Sequence, residues 1–119
     1  MSPRQRPTLL AYLQHLGSAP AVESSDAQLL ERFVRERDEA AFTALMRRHG
    51  PLVWGVCRRV LAGEHAAEDA FQATFLVLVR KARSVSKQAS VRSWLYGVAL
   101  RVAVRARQRE GLRRLREQS

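Results

Sequence analysis

The sequence has few of the residues that disulfide-stabilised or membrane-anchored proteins need. Cys57 is the only cysteine among 119 residues, so an internal disulfide is excluded. Apolar runs are also short. The run that begins at Leu9 is interrupted at Gln14, too early to form the core of a signal peptide or a membrane span. We therefore expect a cytoplasmic protein in which Cys57 packs as a small core residue.

Aromatic residues and strand-like patterns are scarce as well. Aromatic residues make up 7% of the chain, and no stretch alternates polar and apolar side chains as a half-buried strand would. Apolar residues still account for 46%, which is enough for a modest core. Much of the chain is Ala, Leu, Arg, Glu and Gln, which favour helices. The composition therefore predicts a single all-α domain, a compact bundle of about four helices.

The groups that catalysis needs are scattered rather than clustered. None of the three histidines, His15, His49 and His65, has a metal-binding partner at helical spacing. Glu68 and Asp69 are adjacent, so on a helix they point in different directions and cannot flank a substrate as a carboxylate pair. The sequence contains no glycine-rich phosphate loop. We expect no enzymatic activity, no metal and no cofactor.

An extension is expected before the folded domain. Leucines at helical spacing between Leu9 and Leu16 favour one short amphipathic helix, which Gly17 ends. Residues 1–25 are therefore predicted to form a flexible extension with a short helix. A helical domain is predicted over residues 26–110, followed by a frayed basic tail over residues 111–119.

Cap residues and apolar periodicity divide that domain into four helices. Asp26 and Asp38 are typical N-caps for the first two, and Ser90 is a plausible N-cap for the last. The second helix contains Gly50-Pro51 and is predicted to be one kinked helix or two nearly collinear ones. The predicted helices cover residues 27–37, 39–62 and 66–82, and a final stretch that follows Ser90.

The third predicted helix organises the rest of the chain. Its start is acidic, its middle apolar and its end basic, an order that suits the helix macrodipole. Glu68, Asp69 and Gln72 share about one turn beside the apolar stripe. They offer charge-assisted hydrogen bonds to a basic protein partner. In the alternative interpretation, the acids only stabilise the helix N-terminus.

The net charge of +10 is concentrated in the last third of the chain. Residues 80–119 contain twelve Lys or Arg against two acids, whereas the charges cancel over residues 1–79. A one-sided basic surface is typical of nucleic-acid binders, the alternative being a solvated basic tail. The polar stretch 83–92 is best placed to reach bases, and the arginines of the last helix suit phosphate contacts.

Four stretches of this sequence, in this order and spacing, resemble region 2 of the extracytoplasmic-function sigma factors of bacterial RNA polymerase. The resemblance covers about residues 26–107. The phrase Ala70-Phe71-Gln72-Ala73-Thr74-Phe75-Leu76 is similar to versions abundant in planctomycete-like bacteria. The stretches that carry the resemblance are residues 26–30, 39–45, 67–75 and 93–99.

The resemblance implies two partners. The third helix would dock on the clamp helices, a coiled coil, of the polymerase β′ subunit. The loop after it would capture a flipped base of the minus-ten promoter element on the non-template single strand, with the last helix along the same strand. The polymerase-binding residues implied are Glu68, Asp69, Gln72, Phe75 and Leu76. The DNA-binding residues implied are Arg83, Ser84, Ser86, Lys87, Gln88, Arg92, Arg101 and Arg105. An anti-sigma factor is a further expected partner, and no membrane is expected.

The chain departs from the family pattern in two respects. Family members often have Asn where this chain has Arg101, so a phosphate contact is expected there instead of a base contact. The family also normally continues into a second promoter-reading domain, whereas this chain ends at Ser119, so we expect weak promoter recognition by this chain alone. Trp94 lies on an apolar stripe with Leu95 and Val98, and is predicted to pack in the core rather than to stack on a base.

Two other classes of function remain open from the sequence. A protein-interaction module, bound by an anti-sigma partner or acting as a polymerase decoy without opening DNA, predicts that Arg83, Lys87 and Arg92 are tied in internal ion pairs. A generic basic DNA binder predicts equal affinity for duplex and single-stranded DNA. Strand capture predicts instead that the three cations surround a pocket at the loop.

Overall fold

Four helices and the short turns between them account for the part of the chain that the structure describes. The computed structural model describes residues 24–118, and the predicted helix near Leu9–Leu16 lies outside this range. No strand occurs within residues 24–118, so the all-α prediction is confirmed. The helices are α1 (Asp26–Glu36), α2 (Glu39–Val60), α3 (Glu64–Val85) and α4 (Val91–Gln118).

The start of α1 differs from the prediction in its cap residue. Ser25, not Asp26, is the N-cap, and it forms a capping box with Gln28, in which each side chain binds the other residue's backbone N–H. The helix ends at Arg37, whose left-handed backbone (φ of 52°) turns the chain. Asp38 then caps α2 as predicted, accepting hydrogen bonds from the backbone nitrogens of Ala40 and Ala41.

Asp26 ties α1 to the middle of α2. Its carboxylate accepts a hydrogen bond from Arg48 at 2.8 Å and lies 2.9 Å from Nε2 of the buried His49. These contacts lie just before Pro51, which stands inside α2 and cannot donate a backbone hydrogen bond. The structure keeps α2 as one helix through Pro51 rather than two, and the kink stays a prediction.

The core lies where α3 packs between the other helices. The inward stripe of α3 includes Phe71, Phe75 and Leu78, and the rings of Phe71 and Phe75 are 5.2 Å apart. Phe71 also meets Trp54 of α2 edge to face at 5.8 Å. Cys57 is buried nearby as predicted, and desolvation raises the pKa of its thiol to about 11.

The last helix is longer than expected. Fraying was predicted from Gly111, whereas α4 continues through Gly111 to Gln118. Charged pairs at helical spacing support this end, because Arg113 donates to Glu110 at 2.6 Å and lies 3.6 Å from Glu117. The hydrogen bond to Glu110 also raises the pKa of the Arg113 guanidinium. α4 therefore includes residues 111–118, which were predicted to be a frayed tail.

Leu76 and Leu78 are two residues apart on α3, so their side chains point about 200° apart. They test which face of α3 is buried and which is exposed. Leu78 is fully buried, so Leu78→Ala should lower the free energy of unfolding by about 2–5 kcal/mol through lost burial and a residual cavity. Leu76 is 56% exposed, so Leu76→Ala should change it by no more than about 0.5 kcal/mol. Urea denaturation followed by circular dichroism measures both, and equal losses would contradict the assigned orientation of α3.

Candidate functional site

The outer edge of α3 presents one mixed polar and apolar stripe. Asp69, Gln72 and Leu76 are all exposed, and their spacing of three and four residues places them on one side of the helix. Within residues 24–118, no basic side chain forms an ion pair with Asp69. These three residues, called the α3 stripe below, are free to meet a partner protein.

Two residues predicted to bind polymerase face the other way. Glu68 is only 5% exposed, and Phe75 belongs to the buried ring cluster. The reason is helical geometry: Glu68 precedes Phe71 by three residues and Phe75 by seven, so all three lie on the inward face. Glu68 and Phe75 are therefore buried, and the exposed part of the predicted polymerase surface on α3 is Asp69, Gln72 and Leu76.

The loop after α3 is shorter than predicted. The sequence placed it at residues 83–92, but α3 continues to Val85 and α4 begins at Val91. Arg83 and Ser84 therefore lie on the last turn of α3, and Arg92 on the first turn of α4. The physical reason is burial, because Val85 and Val91 both pack in the core and extend the two helices toward each other.

Serine hydroxyls organise this short loop, residues 86–90. Ser84 donates to the carbonyl of Lys81 at 3.1 Å, and Ser86 donates to the carbonyl of Arg83 at 2.8 Å. Ser90 accepts from the backbone nitrogen of Ser93 at 3.0 Å, which confirms its predicted role as N-cap of α4. Because Ser84 and Ser86 donate their hydroxyl protons to nearby backbone carbonyls, their oxygens remain available as hydrogen-bond acceptors.

The predicted DNA-binding cations are exposed and unpaired. No acidic side chain within residues 24–118 forms an ion pair with any of them. Internal ion pairs, which the interaction-only alternative predicted, are thus not formed by the described residues. Lys87 and Gln88 are likewise exposed at the loop tip. The cations are Arg83, Lys87, Arg92, Arg101 and Arg105.

A basic groove runs between the end of α3 and the middle of α4. It encloses about 300 Å³, with Val77, Val98 and Val102 among its apolar lining residues. Three cations line the same groove: Lys81, Arg101 and Arg105. Apolar walls with a cationic rim can hold the sugar and base of a nucleotide while binding its phosphates.

Two aromatic residues near the start of α4 face different sides of the helix, and only Trp94 lines the basic groove. Trp94 packs against the core as predicted, but it is only half-buried and also lines the basic groove. Tyr96 is 44% exposed and was missed as a candidate. Its position next to the fully buried Leu95 was the available signal, because neighbouring residues on a helix point about 100° apart.

The described residues provide neither a metal-binding cluster nor a membrane-spanning helix. Residues 24–118 contain no group of three His, Cys, Asp or Glu side chains that could hold a metal ion. None of the four described helices is both long and apolar enough to cross a membrane.

Comparison with known families agrees with this geometry. Residues 45–113, more than half of the chain, match the family model of sigma-70 region 2. The match includes all of α3, the loop and most of α4, which carry the α3 stripe and the basic groove. No curated protein and no solved structure gives a significant match. The chain therefore belongs to the sigma-70 region 2 family and is a sigma factor domain of transcription initiation.

Proposed function

We propose that this chain binds the RNA polymerase core through the α3 stripe and captures the melted minus-ten promoter element with the loop and α4. The observation that carries the proposal is the cluster of unpaired cations around the loop, on the same pair of helices that presents the exposed Asp69. An unpaired acid stands near the start of α3, and five unpaired cations surround its end and the adjoining part of α4. The four motif stretches make the extracytoplasmic-function type the proposed subtype, and the polymerase partner implies a cytoplasmic location.

The α3 stripe suits the clamp helices of the β′ subunit. Leu76 offers an exposed apolar contact, and Asp69 and Gln72 beside it offer hydrogen-bonding groups. An apolar centre with polar neighbours is the usual make-up of a helix-binding surface. Because Asp69 is unpaired in the described chain, a basic residue of the partner can bind it without first breaking an internal ion pair.

The loop and α4 suit single-stranded promoter DNA. Arg101 and Arg105, four residues apart on α4, can bind successive phosphates, which positions the strand without reading it. Gln88 at the loop tip and the acceptor oxygen of Ser86 can hydrogen-bond an extruded base. Trp94, which lines the groove and is half-buried, provides a ring edge that an inserted base can contact. The free energy of binding the single strand would offset the free-energy cost of unpairing the duplex.

Binding to purified bacterial RNA polymerase core tests the first half of the proposal. Asp69→Arg with Gln72→Ala should abolish binding, because it reverses the exposed charge and removes the neighbouring amide. The matched control is Glu36→Arg with Gln108→Ala, which makes the same change in charge and composition at exposed positions on α1 and α4. Retained binding by the Asp69/Gln72 variant, or equal loss in the control, would remove the α3 stripe as the polymerase site.

The fluorescence of Trp94 tests the second half. In a Trp54→Phe background, a single-stranded minus-ten oligonucleotide should change the emission of Trp94, which lines the basic groove. Replacing Arg101 and Arg105 by Gln should lower the slope of log affinity against log salt by about 1.4, since two phosphate contacts are lost. Gln at Arg35 and Arg59, exposed elsewhere, is the control.

Comparison of DNA forms separates strand capture from the alternatives. Capture predicts tighter binding of the single strand than of the matching duplex. Equal affinity for the two would support the generic duplex binder. Polymerase binding without any DNA binding would support the interaction module or decoy.

A further inference from the structure

Serines are concentrated at the loop between α3 and α4 and on the helix turns beside it. Four serines lie within residues 84–93, and three of them follow a Lys or Arg by three residues. Many serine kinases select their substrates by a base at this spacing, because acidic groups at the kinase's substrate site bind it. The three pairs are Lys81 with Ser84, Arg83 with Ser86, and Lys87 with Ser90.

The structure separates Ser90 from the other two serines of these pairs. Ser84 lies on the last turn of α3 and Ser86 is the C-cap of that helix, and each donates its hydroxyl proton to a backbone carbonyl of α3. Ser90 is exposed, lies outside both helices, and accepts a hydrogen bond from the backbone nitrogen of Ser93. Within residues 24–118, the Ser90 hydroxyl donates to no acceptor. A kinase can therefore bind this hydroxyl without unwinding a helix.

A phosphate group on Ser90 would preserve the fold and change the charge of the loop. A helix N-terminus favours a negative group, so a phosphate is stabilised on this N-cap, whereas one on the C-terminal turn of α3 is disfavoured. Lys87 and Arg92, close to Ser90 in the chain, are exposed and form no ion pair with the described residues. The sequence contains no acid between Asp69 and Glu110, so the phosphate would be the first negative side-chain group in residues 70–109.

We propose that Ser90 is a phosphorylation site for a serine kinase that requires a base three residues before its substrate serine, and that the phosphate prevents capture of the promoter strand. The effect on capture rests on the proposed function, whereas the site itself does not. In the transfer, the Ser90 oxygen bonds to the γ-phosphorus of ATP, the bond from that phosphorus to the ADP oxygen breaks, and the hydroxyl proton passes to a base of the kinase. The phosphate carries about −1.5 to −2 charge at pH 7, which offsets up to two of the cations Arg83, Lys87 and Arg92.

Phosphorylation of the full chain by a purified serine kinase of this class with MgATP, followed by peptide mass spectrometry, tests the site. Phosphate should appear on Ser90, be lost in Ser90→Ala, and form about tenfold more slowly in Lys87→Ala, which removes the base that the kinase binds. A free peptide of residues 78–95 is the control for the fold, because without the helices phosphate should also appear on Ser84 and Ser86. No phosphate on Ser90 of the full chain, or equal phosphate on all three serines there, would contradict the proposal.

Binding of a single-stranded minus-ten oligonucleotide tests the effect of the phosphate. Phosphoserine at position 90 should weaken binding about tenfold and lower the slope of log affinity against log salt by about 1.0 to 1.4. Ser90→Asp should lower this slope by about 0.7, and Ser90→Asn should leave it unchanged. Asp and Asn are equally good N-caps, so the two variants differ in charge and both keep the start of α4. Thermal melting followed by circular dichroism checks that they do.

The results distinguish this proposal from the proposed function. If the unmodified chain does not bind the single strand, strand capture is wrong, and mass spectrometry still decides whether Ser90 is phosphorylated. If the unmodified and phosphorylated chains bind the strand equally well, strand capture stands and the phosphate is not a switch. Equal salt slopes for Ser90→Asp and Ser90→Asn would contradict the switch in the same way.

Discussion

The burial of one face of α3 is the constraint on which the rest of the structure depends. Phe71, Phe75 and Leu78 fix the rotation of this helix, because turning it would expose a ring cluster that contacts α2 and withdraw Leu76 from the surface. Once the rotation is fixed, so are the outward directions of Asp69, Gln72 and Leu76. The same packing also positions α4, which lies against both α2 and α3 and carries the basic residues.

Cations without an ion-pair partner in the described residues are concentrated around the loop between α3 and α4. Arg83 and the arginines on the first half of α4 lie toward this end, whereas Asp69 is near the start of α3, beside arginines of the last half of α4. Acidic groups near the phosphate-binding end would repel DNA, and their absence from residues 80–109 keeps that end uniformly basic. Under the proposed function, the polymerase and the promoter strand would contact different parts of the same pair of helices.

The fold could be predicted well from the sequence, because the helical spacing of apolar residues and the helix caps are both local signals. Apolar spacing identified the inner stripe of α3, and Asp38 and Ser90 were recognised as caps. The cap of α1 was misassigned because Ser25 and Asp26 are both good caps, and only the tertiary contact to His49 shows why Asp26 is used elsewhere. The end of α4 was missed because the tail from Gly111 was expected to fray, and the pairing of Glu110 with Arg113 was not considered.

The site was predicted less completely, for reasons that concern single side chains. Glu68 was assigned to the surface because it shares about one turn with Asp69 and Gln72 and by the family resemblance, although its spacing to Phe71 and Phe75 places it inward. The loop boundaries were uncertain because no Gly or Pro marks them, and the burial of Val85 and Val91 depends on tertiary packing. The placement of Asp69 and Arg109 along one groove could not be read from the sequence, since it depends on how α3 and α4 lie together.

The most direct test of the central claim is site-specific photocrosslinking to the polymerase core. A photoreactive amino acid is placed at position 76, on the exposed edge of α3, and in a control at position 36, on the exposed end of α1. The account predicts a crosslink to the β′ subunit from position 76 and none from position 36. A crosslink from position 36 alone, or equal crosslinks from both, would show that the outward face of α3 is not the surface that meets the polymerase.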